Sequence, residues 1–177
     1  MSSLKPAQVT SIVTEVDIAC AQYLTFTLQG DAYAVGILHV KEIIEFLEIT
    51  EVPLMPDFVR GVINLRGSVV PVIDLLARFG KGATQVRPRT AIVIVEVENR
   101  VGEQDTVLQN IGIMVDAVNE VVEISQSDIE PPPPFGANLR TDFIAGMARR
   151  GSKFTVILDM SQTLSIAEMA ALSDMSS

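Results

Sequence analysis

The chain has 177 residues, of which 48% are hydrophobic, and its formal net charge is −9. This length allows one sizeable domain or two small barrels that share a core. The basic residues are scattered and do not form the basic stripe typical of nucleic-acid binding. No apolar run approaches the roughly 20 residues of a membrane-spanning helix. We therefore expect no nucleic-acid partner and no direct membrane insertion.

The cellular compartment is indicated by the N-terminus and by the cysteine content. Residues 1–9 contain one lysine and no long apolar run, so they do not resemble a signal peptide. Cys20 is the single cysteine, which excludes an intramolecular disulfide. Both features predict a cytoplasmic protein.

The first half of the chain predicts short strands after a flexible tail of residues 1–20. Leu24, Phe26 and Leu28 alternate with threonines, which is the period-two pattern of a half-buried strand. A turn at Gln29–Asp31 and a second β-rich stretch over 33–44 follow.

A loop punctuated by two prolines leads to the next β-rich run. Residues 69–75 are rich in β-branched side chains and predict a strand. Pro71 lacks a backbone donor and is expected at an edge or a bulge of that strand. A short helix is expected to begin at Leu75 and to end at Gly80.

The second half repeats this alternation of strands and turns. Residues 90–97 form a near-continuous apolar run, which predicts a strand buried on both faces. The polar stretch 99–110 is expected to be a long hairpin loop, and 131–134 are four prolines that favour an extended spacer. Ser165 and Glu168 have capping-box spacing within an expected C-terminal helix of about residues 163–174.

Two pairs of segments recur in the same order. Residues 40–45 (VKEIIE) match 118–123 (VNEVVE), an offset of 78. Phe58, Gly61 and Asp74 match residues displaced by 85, which are Phe143, Gly146 and Asp159. Two copies of one β unit are therefore expected. Many short strands with Gly and Pro turns indicate two small β-barrels in an all-β fold.

Reactive side chains are sparse. Asp74 and Asp159 could share a proton, but neither is followed by the residues of an aspartic-protease motif, and Asp at a strand end favours capping of the next turn. His39 is the single histidine and has no cluster of metal ligands around it. We expect no enzymatic activity, no metal and no cofactor.

The glycine-rich stretch of residues 61–67 does not match a phosphate-binding motif. Gly61 and Gly67 favour positive φ or close backbone approach instead. Arg66 lies between Leu65 and Val69, so its charge needs a partner, with Glu42 or Asp74 as candidates, or a binding surface. On a strand, Arg66 would point away from Leu65, whose side chain, like that of Val69, is expected in the core.

The sequence resembles the family of CheW-type chemotaxis coupling proteins over about residues 20–172. The most specific part is GVINLRGSVVPVID at residues 61–74, after YLTFTL at 23–28. GIMVD at 112–116 and FIAG at 143–146 support the resemblance in the second half. The long 99–110 stretch and the proline run at 131–134 depart from the family.

The resemblance implies two SH3-like five-stranded β-barrels within one domain, residues 21–175. Barrel one is expected at about 21–85 and barrel two at about 88–160.

The resemblance also implies a scaffold with two protein partners. These are the regulatory domain of a CheA-type histidine kinase and the cytoplasmic hairpin tip of methyl-accepting chemoreceptors, the latter in a groove between the barrels. Such a protein would be recruited to membrane receptor arrays through these partners. The family's binding roles carry over to a set of residues that we do not divide between kinase and receptor: Val40, Glu42, Gly61, Asn64, Arg66 and Gly67.

Alternative functions are tested by different observations. A CheW-like adaptor of another two-component pathway, in motility or development, has the same sequence features. An enzyme would need Asp74 and Asp159 close together at a pocket. A nucleic-acid-binding barrel would show salt-dependent binding.

Overall fold

A computed structural model describes residues 20–101, 103–132 and 143–164. The predicted tail lies outside the described residues except for Cys20, which begins the first strand. The predicted C-terminal helix also lies outside them beyond Leu164. In the described part of the chain, no helix is long and apolar enough to cross a bilayer.

The described residues form strands joined by short turns and two four-residue helices. In chain order the strands are β1 (Cys20–Leu28), β2 (Asp31–Gly36), β3 (Val40–Glu45), β4 (Val59–Leu65), β5 (Ser68–Asp74), β6 (Ala91–Val101), β7 (Asp105–Val115), β8 (Ala117–Ser125), β9 (Ile129–Glu130), β10 (Ile144–Arg150) and β11 (Lys153–Leu158). The helices are α1 (Leu75–Arg78) and α2 (Met160–Thr163), and 3-10 turns at Ile37–His39 and Gln126–Asp128 precede β3 and β9. The predicted all-β fold class is confirmed.

The strands form two curled sheets. The first sheet has the order β8-β1-β2-β11-β10-β9, and the second has the order β3-β6-β7-β5-β4. Neighbouring strands are antiparallel except for β2 with β11 and β5 with β7. Pro71 lies in the internal strand β5, but it precedes the segment Val72–Asp74 that pairs with β7. The missing donor of Pro71 therefore faces no neighbouring strand on that side.

The two sheets are not the two halves of the chain. The hairpin β1-β2 joins strands from the second half, and the hairpin β6-β7 joins β3, β4 and β5 from the first. The expected split into barrels at 21–85 and 88–160 must be corrected accordingly. The physical reason is strand exchange: β3 leaves β2 to pair with β6, and β8 leaves β7 to pair with β1.

The exchange preserves the internal repeat. Each sheet contains one copy of both repeated segments, with β3 matching β8 and β4-β5-α1 matching β10-β11-α2. The hydrogen bonds repeat as well. The amide of Asp74 donates to the Phe58 carbonyl at 2.7 Å, and the amide of Asp159 donates to the Phe143 carbonyl at 2.8 Å. The predicted duplication is thus confirmed, and the exchange explains why neither half forms a sheet alone.

The largest buried cluster joins the two sheets. Phe26 and Val35 of the first sheet pack in the same cluster as Val93 and Ile113 of the second. Each sheet also buries a smaller cluster of its own. Because burial of apolar surface dominates folding free energy, this shared core holds the two sheets together as one unit.

Arg78 lies where the two copies of the repeat meet. Its guanidinium carbon is 4.8 Å from the ring centroid of Phe58 and 4.6 Å from that of Phe143, which are repeat-related residues. Its Nε donates to the carbonyl of Thr163 at 3.0 Å. Cation–π contacts and this hydrogen bond thus connect both copies through one side chain.

The predicted loop over 99–110 is wrong. β6 and β7 pair continuously from Ala91 opposite Val115 to Val101 opposite Asp105. The equivalent hairpin β1-β2 pairs only from Tyr23 to Leu28. The polar composition of the distal part reflects exposure on both faces, and a ladder of backbone hydrogen bonds forms there without burial.

Candidate functional site

A two-residue turn joins β4 to β5. It consists of Arg66 and Gly67, with φ values of 51° and 89°. Positive φ at both positions is typical of the turns whose twist matches a β-hairpin. The side-chain oxygen of Asn64 accepts a hydrogen bond from the Gly67 amide at 2.8 Å and holds the turn. Arg66 is therefore a turn residue, and the expectation that it lies on a strand is corrected.

The guanidinium of Arg66 binds both carboxylate oxygens of Glu42. One hydrogen bond is 3.2 Å long and the second is shorter. The side chains are 71% and 28% exposed, respectively. The predicted pairing of Arg66 with Glu42 is confirmed. A bidentate arginine–carboxylate pair fixes the orientation of both groups, which a single contact does not.

This ion pair connects the two edges of the second sheet. Glu42 lies on β3, one edge strand, and the Arg66 turn extends from β4, the opposite edge strand. The edges can meet only because the sheet curls. The pair therefore places a fixed, exposed guanidinium at the closure of the barrel.

The ion pair also changes the protonation equilibria of both groups. Hydrogen bonding from Arg66 is the main cause of a lowered pKa for the Glu42 carboxyl. Burial acts in the opposite direction and is outweighed. The pKa of Arg66 is raised for the reciprocal reason. Both groups are consequently charged at neutral pH.

An apolar side chain lies beside the turn. Val69 is 72% exposed, so the expectation that it belongs to the core is wrong, whereas Val70 is 2% exposed. Val69 lies directly opposite Asn64 in the β4-β5 ladder, and directly opposed residues share one face of the sheet. We call Glu42, Asn64, Arg66, Gly67 and Val69 the Arg66 surface. The Val-Val dipeptide in the sequence does not indicate which residue is exposed.

Gly61 is separate from this surface. It is buried in β4 at the end distant from the turn, with a φ of 144°. A Cβ at this position would lie 2.1 Å from the backbone oxygen of Thr50, whose segment bridges to β4 at Val62. Its role in the structure is to permit this close backbone approach.

Val40 also lies away from the turn. It opens β3, opposite Val95, and packs against the core that joins the two sheets. The structure therefore brings Glu42, Asn64, Arg66 and Gly67 together and leaves Gly61 and Val40 apart from them.

A second exposed surface lies where the chain crosses from the first sheet to the second. Leu38, in the 3-10 turn between β2 and β3, is 96% exposed. The repeat-related position on the opposite crossing is Asp116, whose carboxylate accepts a hydrogen bond from the Gln29 amide at 2.8 Å. We call Leu38 and the neighbouring Val40 the crossing surface. One crossing therefore presents an apolar side chain where its counterpart is polar and satisfied.

The two repeated aspartates are caps. The carboxylate of Asp74 accepts from the Ala77 amide, and that of Asp159 accepts from the Ser161 and Gln162 amides. The capping interpretation is confirmed. Within the described ranges, no group of three or more His, Cys, Asp or Glu side chains could hold a metal ion.

Comparison with known proteins agrees with this architecture. Residues 22–168 match the model of the CheW-like domain. A chemotaxis protein CheW from Klebsiella aerogenes is 33% identical over 84% of this chain and 84% of its own length. One from Treponema pallidum is 28% identical over 87% and 88%. The crystal structure of the scaffolding protein TtCheW from Thermoanaerobacter tengcongensis superposes with a TM-score of 0.70, at 36% identity, and the match covers 82% of this chain and 88% of that one.

Two curled sheets with exchanged strands and an exposed arginine turn define a CheW-like domain. The chain belongs to the CheW family.

Proposed function

We propose that this protein is a chemotaxis scaffold that couples the cytoplasmic tips of chemoreceptors to a CheA-type histidine kinase without catalysing a reaction. The observation that carries the proposal is the rigid, exposed Arg66 turn on a CheW-like fold. The protein would act in the cytoplasm and reach membrane receptor arrays through its partners.

The Arg66 surface has the properties of a protein-binding site. Arg66 is largely exposed yet fixed by two hydrogen bonds, so little side-chain entropy is lost when a partner docks. Val69 adds exposed apolar area on the same hairpin. Arginine beside apolar side chains is the composition in which interface hot spots are enriched.

The crossing surface supports a second partner. Leu38 is almost fully exposed on a 3-10 turn between the two sheets, whereas Val40 beside it is anchored in the core. A scaffold needs two surfaces that can be occupied together, and this one lies between the sheets, where the family resemblance predicts a receptor groove. Docking there would bury Leu38, which water now covers.

The experiment measures each partner separately. We expect Arg66→Ala to weaken binding to the kinase regulatory domain or to a receptor signalling fragment by about 1–4 kcal/mol, the range of an interface hot spot. Leu38→Asp is expected to weaken the binding of the receptor fragment in the same way. Lys81→Ala, which removes an exposed charge far from the β4-β5 turn in sequence, is the matched control.

Thermal unfolding of each variant separates binding from folding. Since Arg66 and Leu38 are exposed, both variants are expected to melt close to the parent protein. An unfolded Arg66→Ala variant would make the arginine a structural strut. A stable variant that recovers receptor and kinase as well as the parent protein would contradict the proposed surface.

A further inference from the structure

The distal half of the β6-β7 hairpin is a ribbon with two open edges. β3 pairs with β6 only from Ala91 to Val95, and β5 pairs with β7 only from Gly112 to Met114. Beyond these positions the hairpin continues to Val101 and Asp105 with no further strand beside it among the described residues. We call residues 98–108 the ribbon.

The ribbon combines exposed apolar side chains with acidic charge. Leu108 is 64% exposed and Val107 is 49% exposed. Residues 98–105 contain three acidic residues and one arginine, and Glu98, Glu103 and Asp105 are all exposed. Isolated two-stranded hairpins are marginally stable in water, and open edges of this kind are sites at which other chains dock.

A complementary surface lies at the tip of the β10-β11 hairpin. Arg149, Arg150 and Lys153 are all exposed around the turn at Gly151. Arg149 binds Glu130 at 2.8 Å, whereas Arg150 and Lys153 have no ion-pair partner in the described part of the chain. Phe154, 41% exposed, lies under the Arg149 guanidinium at 5.2 Å. We call residues 149–154 the basic tip.

We propose that the ribbon of one molecule docks against the basic tip of a second copy. The charges are complementary, since acidic residues predominate on the ribbon and residues 149–154 contain basic residues only. The apolar groups also match, because Leu108 and Val107 could cover Phe154. Contact between two ribbons would instead oppose like charges, which disfavours a symmetric ribbon–ribbon dimer.

This contact is head-to-tail. Each molecule would use its ribbon for one neighbour and its basic tip for another, so association can continue beyond two copies or close into a ring. The chain has a net charge of −9, which opposes self-association at low ionic strength except where opposite charges meet. The inference does not depend on the kinase or the receptor.

Sedimentation velocity of the purified full chain tests the contact. Raising salt from about 0.01 M to about 1 M shortens the Debye length from roughly 30 Å to 3 Å and is expected to weaken association at least tenfold. Glu98→Lys with Asp105→Lys, or Arg150→Glu with Lys153→Glu, is expected to weaken it at least as much, because each creates like-charge contacts.

The matched control and the rescue make the test specific. Lys81→Glu with Arg89→Glu changes the net charge as the basic-tip variant does, at exposed positions outside the contact, and is expected to associate like the parent chain. Mixing the ribbon variant with the basic-tip variant is expected to restore association, because the reversed charges are again complementary. A chain that stays monomeric at about 0.01 M salt overturns the proposal. A control that is weakened equally, or a mixture that is not rescued, also overturns it.

Discussion

The two copies of the hairpin-and-cap unit differ most in what their aspartates hold. The Asp74 carboxylate is fully buried and accepts hydrogen bonds from the amide and the hydroxyl of Thr84, each at 2.7 Å. Arg60 lies 3.7 Å from it. Asp159 bonds only within its own turn, to Ser161 and Gln162. The first copy therefore anchors the loop before β6, and the second copy only begins a helix.

The repeated glycines differ in the same direction. Gly61 has a φ of 144°, and an added Cβ would meet the Thr50 backbone at 2.1 Å. An added Cβ at Gly146 would meet first a side-chain methyl of Ile129 at 2.5 Å, and the Glu130 backbone oxygen only at 3.4 Å. A side chain can move where a backbone cannot. The repeat thus preserves backbone geometry, while the energetic importance of each position depends on its neighbours.

The largest expected effect is at the aspartates. Asp74→Ala is expected to lower the free energy of unfolding by about 3–5 kcal/mol, because it leaves a buried amide, a hydroxyl and Arg60 without their acceptor. Asp159→Ala should cost about 1 kcal/mol, the usual value of a lost cap. Urea unfolding of both variants measures the difference. Equal losses would mean that the buried bonds to Thr84 add nothing beyond capping.

The glycines are expected to show a smaller contrast. Gly61→Ala combines positive φ with a backbone clash and should cost about 2–4 kcal/mol. Gly146→Ala is expected to cost about 1–2 kcal/mol, since Ile129 can shift. The same urea experiment applies, with Ile129→Ala plus Gly146→Ala as a test of the cause. If the added Ile129→Ala change does not reduce the cost of alanine at Gly146, side-chain crowding is not its origin.

The sequence predicted those features that depend on local chemistry. Asp at a strand end predicts a cap, and two caps are present at Asp74 and Asp159. A guanidinium in an apolar neighbourhood predicts a carboxylate partner, and Glu42 supplies it. Both predictions rest on chemical requirements that any fold must satisfy.

The errors arise from non-local pairing. Alternation predicts a strand but not its neighbour, so the exchange of β3 and β8 between sheets was not predictable from period two. In the apolar run at Val69 and Val70, only the register distinguishes the exposed residue from the buried one. The turn at Arg66 requires positive φ at a non-glycine residue, which arginine does not indicate.

The turn glycines are expected to respond alike and so sharpen the comparison. Gly67 and Gly151 have φ values of 89° and 65°, and neither would bring a Cβ within 4 Å of another atom. Gly67→Ala and Gly151→Ala should each cost about 1–2 kcal/mol from backbone strain alone. Thermal unfolding measured in parallel tests this. A large excess at either turn would show that crowding, not φ, sets the cost there.

The smallest expected effect concerns the titration of Glu42. Its pKa is lowered chiefly by the hydrogen bond from Arg66, so Arg66→Ala is expected to raise the pKa of this carboxyl toward its ordinary value. Because the folded-state pKa is depressed, the ion pair stabilises the protein fully above the unfolded-state pKa. That stabilisation is lost as the pH falls through the lower folded-state value. Carboxyl carbon chemical shifts followed by NMR against pH, in the parent chain and in Arg66→Ala, measure the change directly. Lys41→Ala is the matched control, because Lys41 lies next to Glu42 in β3 but pairs with Glu96 at 3.2 Å. A Glu42 pKa that is unchanged in Arg66→Ala, or that moves equally in Lys41→Ala, would show that the arginine does not hold this carboxylate in solution. The closure of the barrel would then not depend on the ion pair.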